Sequence, residues 1–111
     1  MIKKEYTIAY VKGDLPKSSQ ELLKIKTKSG KLFLKKNLIQ IESEKEKIEF
    51  KYDESVTCKY KRRQMFGFIC LNSRKNKANI LIPRINIFNY FIITNFFATL
   101  KLYNYLKKRF A

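Results

Sequence analysis

Histidine and tryptophan are absent from this chain of 111 residues, and cysteine, proline and glycine number only two, two and three. Each shortage closes off a class of chemistry. Without histidine, Cys58 and Cys70 cannot complete a zinc site or a Cys/His nucleophile. Both cysteines fall in apolar, strand-like runs, so they are read as buried free thiols of a reducing compartment, with a disulfide or a functional thiol as the alternative. Scarce glycine and proline leave no linker, and residues 1–111 are expected to form one domain around one core. There is no glycine-rich phosphate loop and no pair of acids in an apolar setting. Glu42, Glu44 and Glu46 alternate with Ser43 and Lys45, which reads as a solvated turn pairing with Lys45 and Lys47 rather than a metal site. The expectation is a protein that is not an enzyme and carries no cofactor and no metal.

Acidic residues are missing from half of the chain. All nine lie between Glu5 and Glu54, in a segment that also holds 13 lysines and arginines, for a net charge of +4. The remaining 57 residues carry 12 cations and no carboxylate, net +12, within a total of +16. A half that cannot neutralise its own field should present a basic face to phosphates or anionic headgroups. Abundant Lys, Asn, Ile, Phe and Tyr are also what an AT-rich coding sequence produces. That explains lysine better than it explains Arg62, Arg63, Arg74, Arg84 and Arg109.

Long apolar runs are missing too. MIKKEYTIAY lacks the apolar stretch that follows the charged start of a secretory signal, so a cytoplasmic location is expected, peripheral to the inner face of the membrane if the basic face is used. Residues 85–100, INIFNYFIITNFFATL, are uncharged but contain three Asn and two Thr. They are read as a buried strand leading into a helix rather than a membrane span.

What is present is a folded composition, 45% hydrophobic and 14% aromatic, arranged mostly in alternation. EYTIAYV reads as a strand ending at the turn chemistry of Gly13, Asp14 and Pro16. ELLKIKTKSGKLFLKKNLIQIE reads as a hairpin turning at Ser29-Gly30, with Leu23, Ile25 and Thr27 on one face of its first strand and Leu32 and Leu34 on one face of its second. Ile48, Phe50 and Tyr52 share a strand face, as do Val56, Cys58 and Tyr60. FGFICLN and ANILIPR follow as strands around the turn SRKNKAN. From Phe96 the period becomes helical: Phe96, Leu100, Tyr103, Leu106 and Phe110 form a stripe, Thr94 or Asn95 caps the start, and Lys107, Lys108 and Arg109 suit the last turn. The fold class expected is mainly β: a small antiparallel barrel or sandwich of six to seven strands with one C-terminal amphipathic helix.

The stretch KYKRRQMFGF, Lys59 to Phe68, carries the strongest binding signal. Lys59 and Lys61 should point away from the core while Tyr60 points in, and Arg62, Arg63 and Gln64 should project together from a turn. With Arg74 and Lys75 these residues make a candidate surface for anions, and Met65 and Phe66 a candidate apolar tip.

Gly30 to Ile39, GKLFLKKNLI, together with IEFKYDESVTCKYKRR, resembles the G-x-L-Y-L-T-x-x-R-L-I and following I-P-Y-x-D-I-x-x-V-x-K segments of GRAM and bacterial PH-like domains, over residues 22–63. Lys35 stands where the family has Thr, Asn37 where it has Arg, and Ser55 where it has Ile unless Val56 takes that place. The resemblance implies a PH-like barrel with a capping helix that binds lipids or protein partners. The function expected is docking to an anionic membrane surface. A protein partner held by a strand edge or helix groove, and a nucleic acid stacked on Tyr60, Phe66 or Phe68, are the alternatives.

Overall fold

The computed structural model describes residues 4–15, 27–63, 66–83 and 94–110. Among them are seven strands, β1 (Glu5–Lys12), β2 (Lys28–Leu34), β3 (Leu38–Glu42), β4 (Lys47–Lys51), β5 (Thr57–Arg63), β6 (Phe66–Asn72) and β7 (Lys77–Leu81), and one helix, α1 (Phe96–Arg109). Every strand neighbour is antiparallel, in the order β4-β3-β2-β1-β7-β6-β5. Strands β4 and β5 follow one another in the chain yet stand at opposite edges. The sheet curls into a PH-like half-barrel, and Asn76 Nδ2, in the β6–β7 turn, donates to the Glu49 carbonyl on edge strand β4 at 3.2 Å.

The alternation in the sequence explains the curl. Ile8 and Tyr10, Leu32, Ile39 and Ile41, Ile48 and Phe50, Ile69 and Leu71, and Ala78 and Ile80 all reach one buried cluster, which the Leu102 and Leu106 side chains of α1 complete. Register delivers them to the same face, with Leu32 opposite Ile41 and Ile69 opposite Ile80. Interposed residues such as Lys47, Glu49 and Lys51 stay exposed. A smaller cluster of Ala9, Phe68 and Leu81, with Val11, Phe66 and Cys70, lies on the other face.

Two expectations need correction. Ser29 and Gly30 are not a turn; both lie inside β2. Gly30 is needed because the Tyr10 ring crosses it: a Cβ there would sit 3.1 Å from Tyr10 Cε1 and 2.8 Å from the Glu42 carbonyl oxygen. The proposed partner strand with Leu23 and Ile25 lies outside the described residues, and the chain reverses instead at Lys35–Asn37, where Lys35 N–H donates to the Leu38 carbonyl. The second correction is to the helix. Thr99, Leu102 and Leu106 are its buried residues, whereas Leu100 is 40% exposed and Phe97 83%.

The start of α1 fixes that phase. Asn95 is the N-cap, its side chain accepting from Ala98 N–H at 3.1 Å. One turn on, Thr99 Oγ1 accepts from Ile82 N–H at 3.1 Å, which turns Thr99 inward and Leu100 away. The strand reading for residues 85–93 lies outside the described residues.

Replacing Leu102 or Leu106 by Ala should therefore cost about 2–5 kcal/mol, and Leu100→Ala should stay within about 0.5 kcal/mol. Denaturant unfolding measures this, and equal losses at positions 100 and 102 would reject the helix phase. Gly67 offers a second test, because a Cβ on it would overlap Tyr60 Oη and sit 2.9 Å from the Phe96 ring. Gly67→Ala should destabilise, and adding Tyr60→Phe should recover part of the loss, since Tyr60 Oη is buried without a hydrogen-bond partner.

Candidate functional site

The two ends of the half-barrel differ in construction. At one end lie the β3–β4 turn (43–46) and the β6–β7 turn (73–76), with Lys12 ending β1 and Lys28 starting β2. At the other, α1 runs across the sheet. Its start packs near the β5–β6 corner, where the Arg62 guanidinium lies 4.7 Å from the Phe96 ring centroid. Its last turn reaches the opposite half, where Phe110 packs on Tyr52 at 5.1 Å and Arg109 Nη2 donates to the Lys36 carbonyl at 3.2 Å.

This geometry separates the expected basic cluster. Lys59 and Lys61 are exposed on β5, opposite Cys70 and Phe68, while Tyr60 turns inward against Tyr103, as the alternation predicts. Arg62 and Arg63 do not form a turn: both are strand residues, paired with Gly67 and Phe66. Arg62 reaches over the Phe96 ring and so belongs with the helix. Arg74 and Lys75 are exposed in the β6–β7 turn. That turn is the far end of β6, about 20 Å from the β5–β6 corner at ~3.3 Å per residue. Met65 lies outside the described residues. Phe66 is half-buried and stacked on Phe68 at 6.1 Å, on the face of the smaller cluster.

Sequence reasoning missed a second basic surface. Phe97, Lys101, Asn104 and Lys108 follow each other by four, three and four residues, so they share the stripe of α1 opposite Leu102 and Leu106. Phe97 is the most exposed large apolar side chain among the described residues, Leu100 flanks it, and no acid lies in the helix. The sequence carries the signal in the spacing of Phe97, Lys101 and Lys108, but the Phe96 to Phe110 spacing offers a competing apolar face that masks it.

In the cleft at the hairpin end charge is balanced. Glu46 accepts from Tyr10 Oη at 2.8 Å and from Lys28 and Lys12 at 3.2 and 3.4 Å. The Tyr10 hydrogen bond, helped by the two lysines and opposed by burial, holds the Glu46 carboxyl below its ordinary range. Glu46 is thus tied to β1 and β2 rather than to Lys45 and Lys47. Lys77 pairs with Asp14. The adjoining cleft of about 420 Å³ is lined by two lysines, two glutamates and two serines.

Cys58 and Cys70 sit on adjacent strands one register step apart, Cys58 opposite Leu71 and Cys70 opposite Lys59. One faces the main core and the other the smaller cluster, so they cannot bridge. Burial pushes the Cys58 thiol up to about 12, with Cys70 adding to the shift and Lys107 opposing it.

No protein-family model, curated protein or solved structure matches the chain. The geometry alone defines its class: a seven-stranded PH-like half-barrel whose capping helix presents a basic, partly apolar outer stripe.

Alkylation can check the environment of Cys58. Iodoacetamide at pH 8 should leave it unmodified in the folded protein and label it after denaturation, read by peptide mass spectrometry. The unfolded chain releases the thiol proton near pH 9.0 and the folded one near 12. Stability from this group is therefore full below pH 9 and falls as pH rises towards 12.

Proposed function

We propose that this protein is a non-enzymatic module that docks to anionic membrane surfaces through the outer stripe of α1 and the neighbouring β5–β6 corner. The observation that carries the reading is Phe97, 83% exposed beside Leu100 and on one stripe with Lys101 and Lys108. An apolar side chain of that size gains by leaving water, and each nearby Lys or Arg gains about 1 kcal/mol at an anionic leaflet. Arg62, above Phe96, adds charge at the corner where the helix begins. No helix among the described residues is long and apolar enough to cross a membrane.

A second reading rests on the edge of β5. Gly67 N–H points to Thr94 rather than to β5, so the facing Arg62 turns its own backbone groups outward, as do Tyr60 and Cys58 by alternation. Among the described residues no strand pairs with that edge. A protein partner could add a strand there, although Lys59 and Lys61 are also the usual protection of an open edge.

Vesicle sedimentation tests the first reading at low and physiological salt, because a +16 protein holds any polyanion when the Debye length is about 30 Å and far less when it is about 8 Å. At physiological salt the protein should pellet with phosphatidylserine vesicles and not with phosphatidylcholine vesicles. Phe97→Ser should weaken that binding, and Lys101→Glu with Lys108→Glu should abolish it. Retention of single-stranded DNA but not vesicles at that salt would favour a nucleic-acid partner. Retention of neither would leave the β5 edge as the reading to pursue.

A further inference from the structure

A cleft of about 560 Å³ opens at the C-terminal end of α1, lined by Lys36, Asn37, Leu38, Lys51, Tyr52, Asp53 and Arg109. Three chain segments build it: the β2–β3 turn, the end of β4 with the residues after it, and the last turn of the helix. A backbone hydrogen bond from Tyr52 N–H to the Asn37 carbonyl ties the first two together, and one from Lys35 N–H to the Leu38 carbonyl closes the turn itself. Its charge differs from that of the hairpin-end cleft. Three cations face one carboxylate, and none of Lys36, Lys51 and Arg109 makes an ion pair among the described residues.

Arg109 is oriented before any ligand arrives. Its guanidinium carbon lies 4.5 Å from the Tyr52 ring centroid, and one Nη2 hydrogen bond goes to the Lys36 carbonyl. A guanidinium has five N–H donors in a planar fork, so most remain to be used, while the Tyr52 ring and the Lys36 carbonyl hold the group in place. The fork suits two oxygens of one phosphorus, and the ammonium groups of Lys36 and Lys51 supply point charges for the rest. The excess of two positive charges over Asp53 matches a dianion.

We propose that this cleft receives a single phosphomonoester carried by an anionic lipid headgroup, so that α1 contacts the membrane while the cleft at its end selects the lipid. This inference rests on the membrane reading above and gives it a specificity that surface charge alone lacks. Stacking holds the fork only for arginine, so the charge-conserving Arg109→Lys is the informative change.

The test uses the full chain and two sets of vesicles of matched surface potential, one containing phosphatidic acid and the other phosphatidylserine. The unmodified protein should bind the phosphatidic acid vesicles about tenfold more tightly, the scale of one charge-assisted hydrogen bond pair. Arg109→Lys should lose that preference and keep phosphatidylserine binding. Lys51→Gln, at a side chain with no hydrogen bond or ion pair among the described residues, should reduce the preference without altering the unfolding midpoint. Equal binding of the two vesicle sets by the unmodified protein, or a preference that survives Arg109→Lys, would overturn the cleft proposal and leave membrane docking standing. Failure to bind either set would sink the membrane reading. In that event, amide shifts at Asn37 and Tyr52 on titration with inorganic phosphate, lost in Arg109→Lys, would assign the cleft to a soluble phosphomonoester, and their absence would reject it.

Discussion

Much of this structure depends on how Gly67 is satisfied beyond the point where β7 stops. Strand β7 ends at Leu81, and Pro83, which has no N–H, cannot extend the ladder. Strand β6 runs further, leaving the Gly67 backbone in need of partners. Thr94 supplies both: its Oγ1 accepts from Gly67 N–H at 2.8 Å and donates to the Gly67 carbonyl at 3.3 Å, while its backbone bridges to Pro83. Thr94 is buried, so these bonds form away from water, where an unmade one is costly. The next residue, Asn95, is the helix cap, so the point where the ladder is completed is also where α1 begins.

From that start the helix has little freedom. Asn95 N–H donates to the Ile82 carbonyl at 2.8 Å and Thr99 Oγ1 accepts from Ile82 N–H, so both backbone groups of Ile82 are spent on the first turn. The helix rotation that buries Thr99 also buries Leu102 and Leu106 one and two turns later, and it leaves Phe97, Lys101 and Lys108 on the outside. A hydrogen-bonding constraint at the rim of the sheet thus selects which side chains meet solvent. The outer stripe follows from the cap rather than from apolar spacing in the helix itself.

This explains what could be read from the sequence and what could not. Strands with one apolar face were legible because their period is two and their partners share it: Ile48 and Phe50, or Val56, Cys58 and Tyr60, point inward as the alternation says. The mainly β architecture with a C-terminal helix, and Asn95 as one of two candidate caps, followed from the same reading. The phase of α1 did not, because Phe96, Phe97, Leu100, Leu102, Tyr103 and Leu106 supply two overlapping apolar stripes and the deciding residue, Thr99, is polar. Gly30 misled for a related reason: glycine beside serine signals a turn, but here its missing Cβ makes room for the Tyr10 ring. The basic stretch is legible as basic but not as a strand, since charge density says nothing about whether Arg62 and Arg63 continue β5.

Charge asymmetry acquires a spatial meaning only through the topology. Acids of the first half are drawn into local pairs, as Glu46 is with Lys12 and Lys28, Glu5 with Lys31 and Asp14 with Lys77. The acid-free half contributes β5, β6, β7 and α1, and its cations have few carboxylates within reach. Lys107 leans over Tyr103 at 5.9 Å, Arg62 over Phe96 and Arg109 over Tyr52, so aromatic faces take the place of counter-ions. Such contacts orient a cation without neutralising it. The charge of these three residues therefore stays available to an anion outside the molecule, and because Tyr52 and Tyr103 pack on the margin of the core, Arg109 and Lys107 are held near fixed positions.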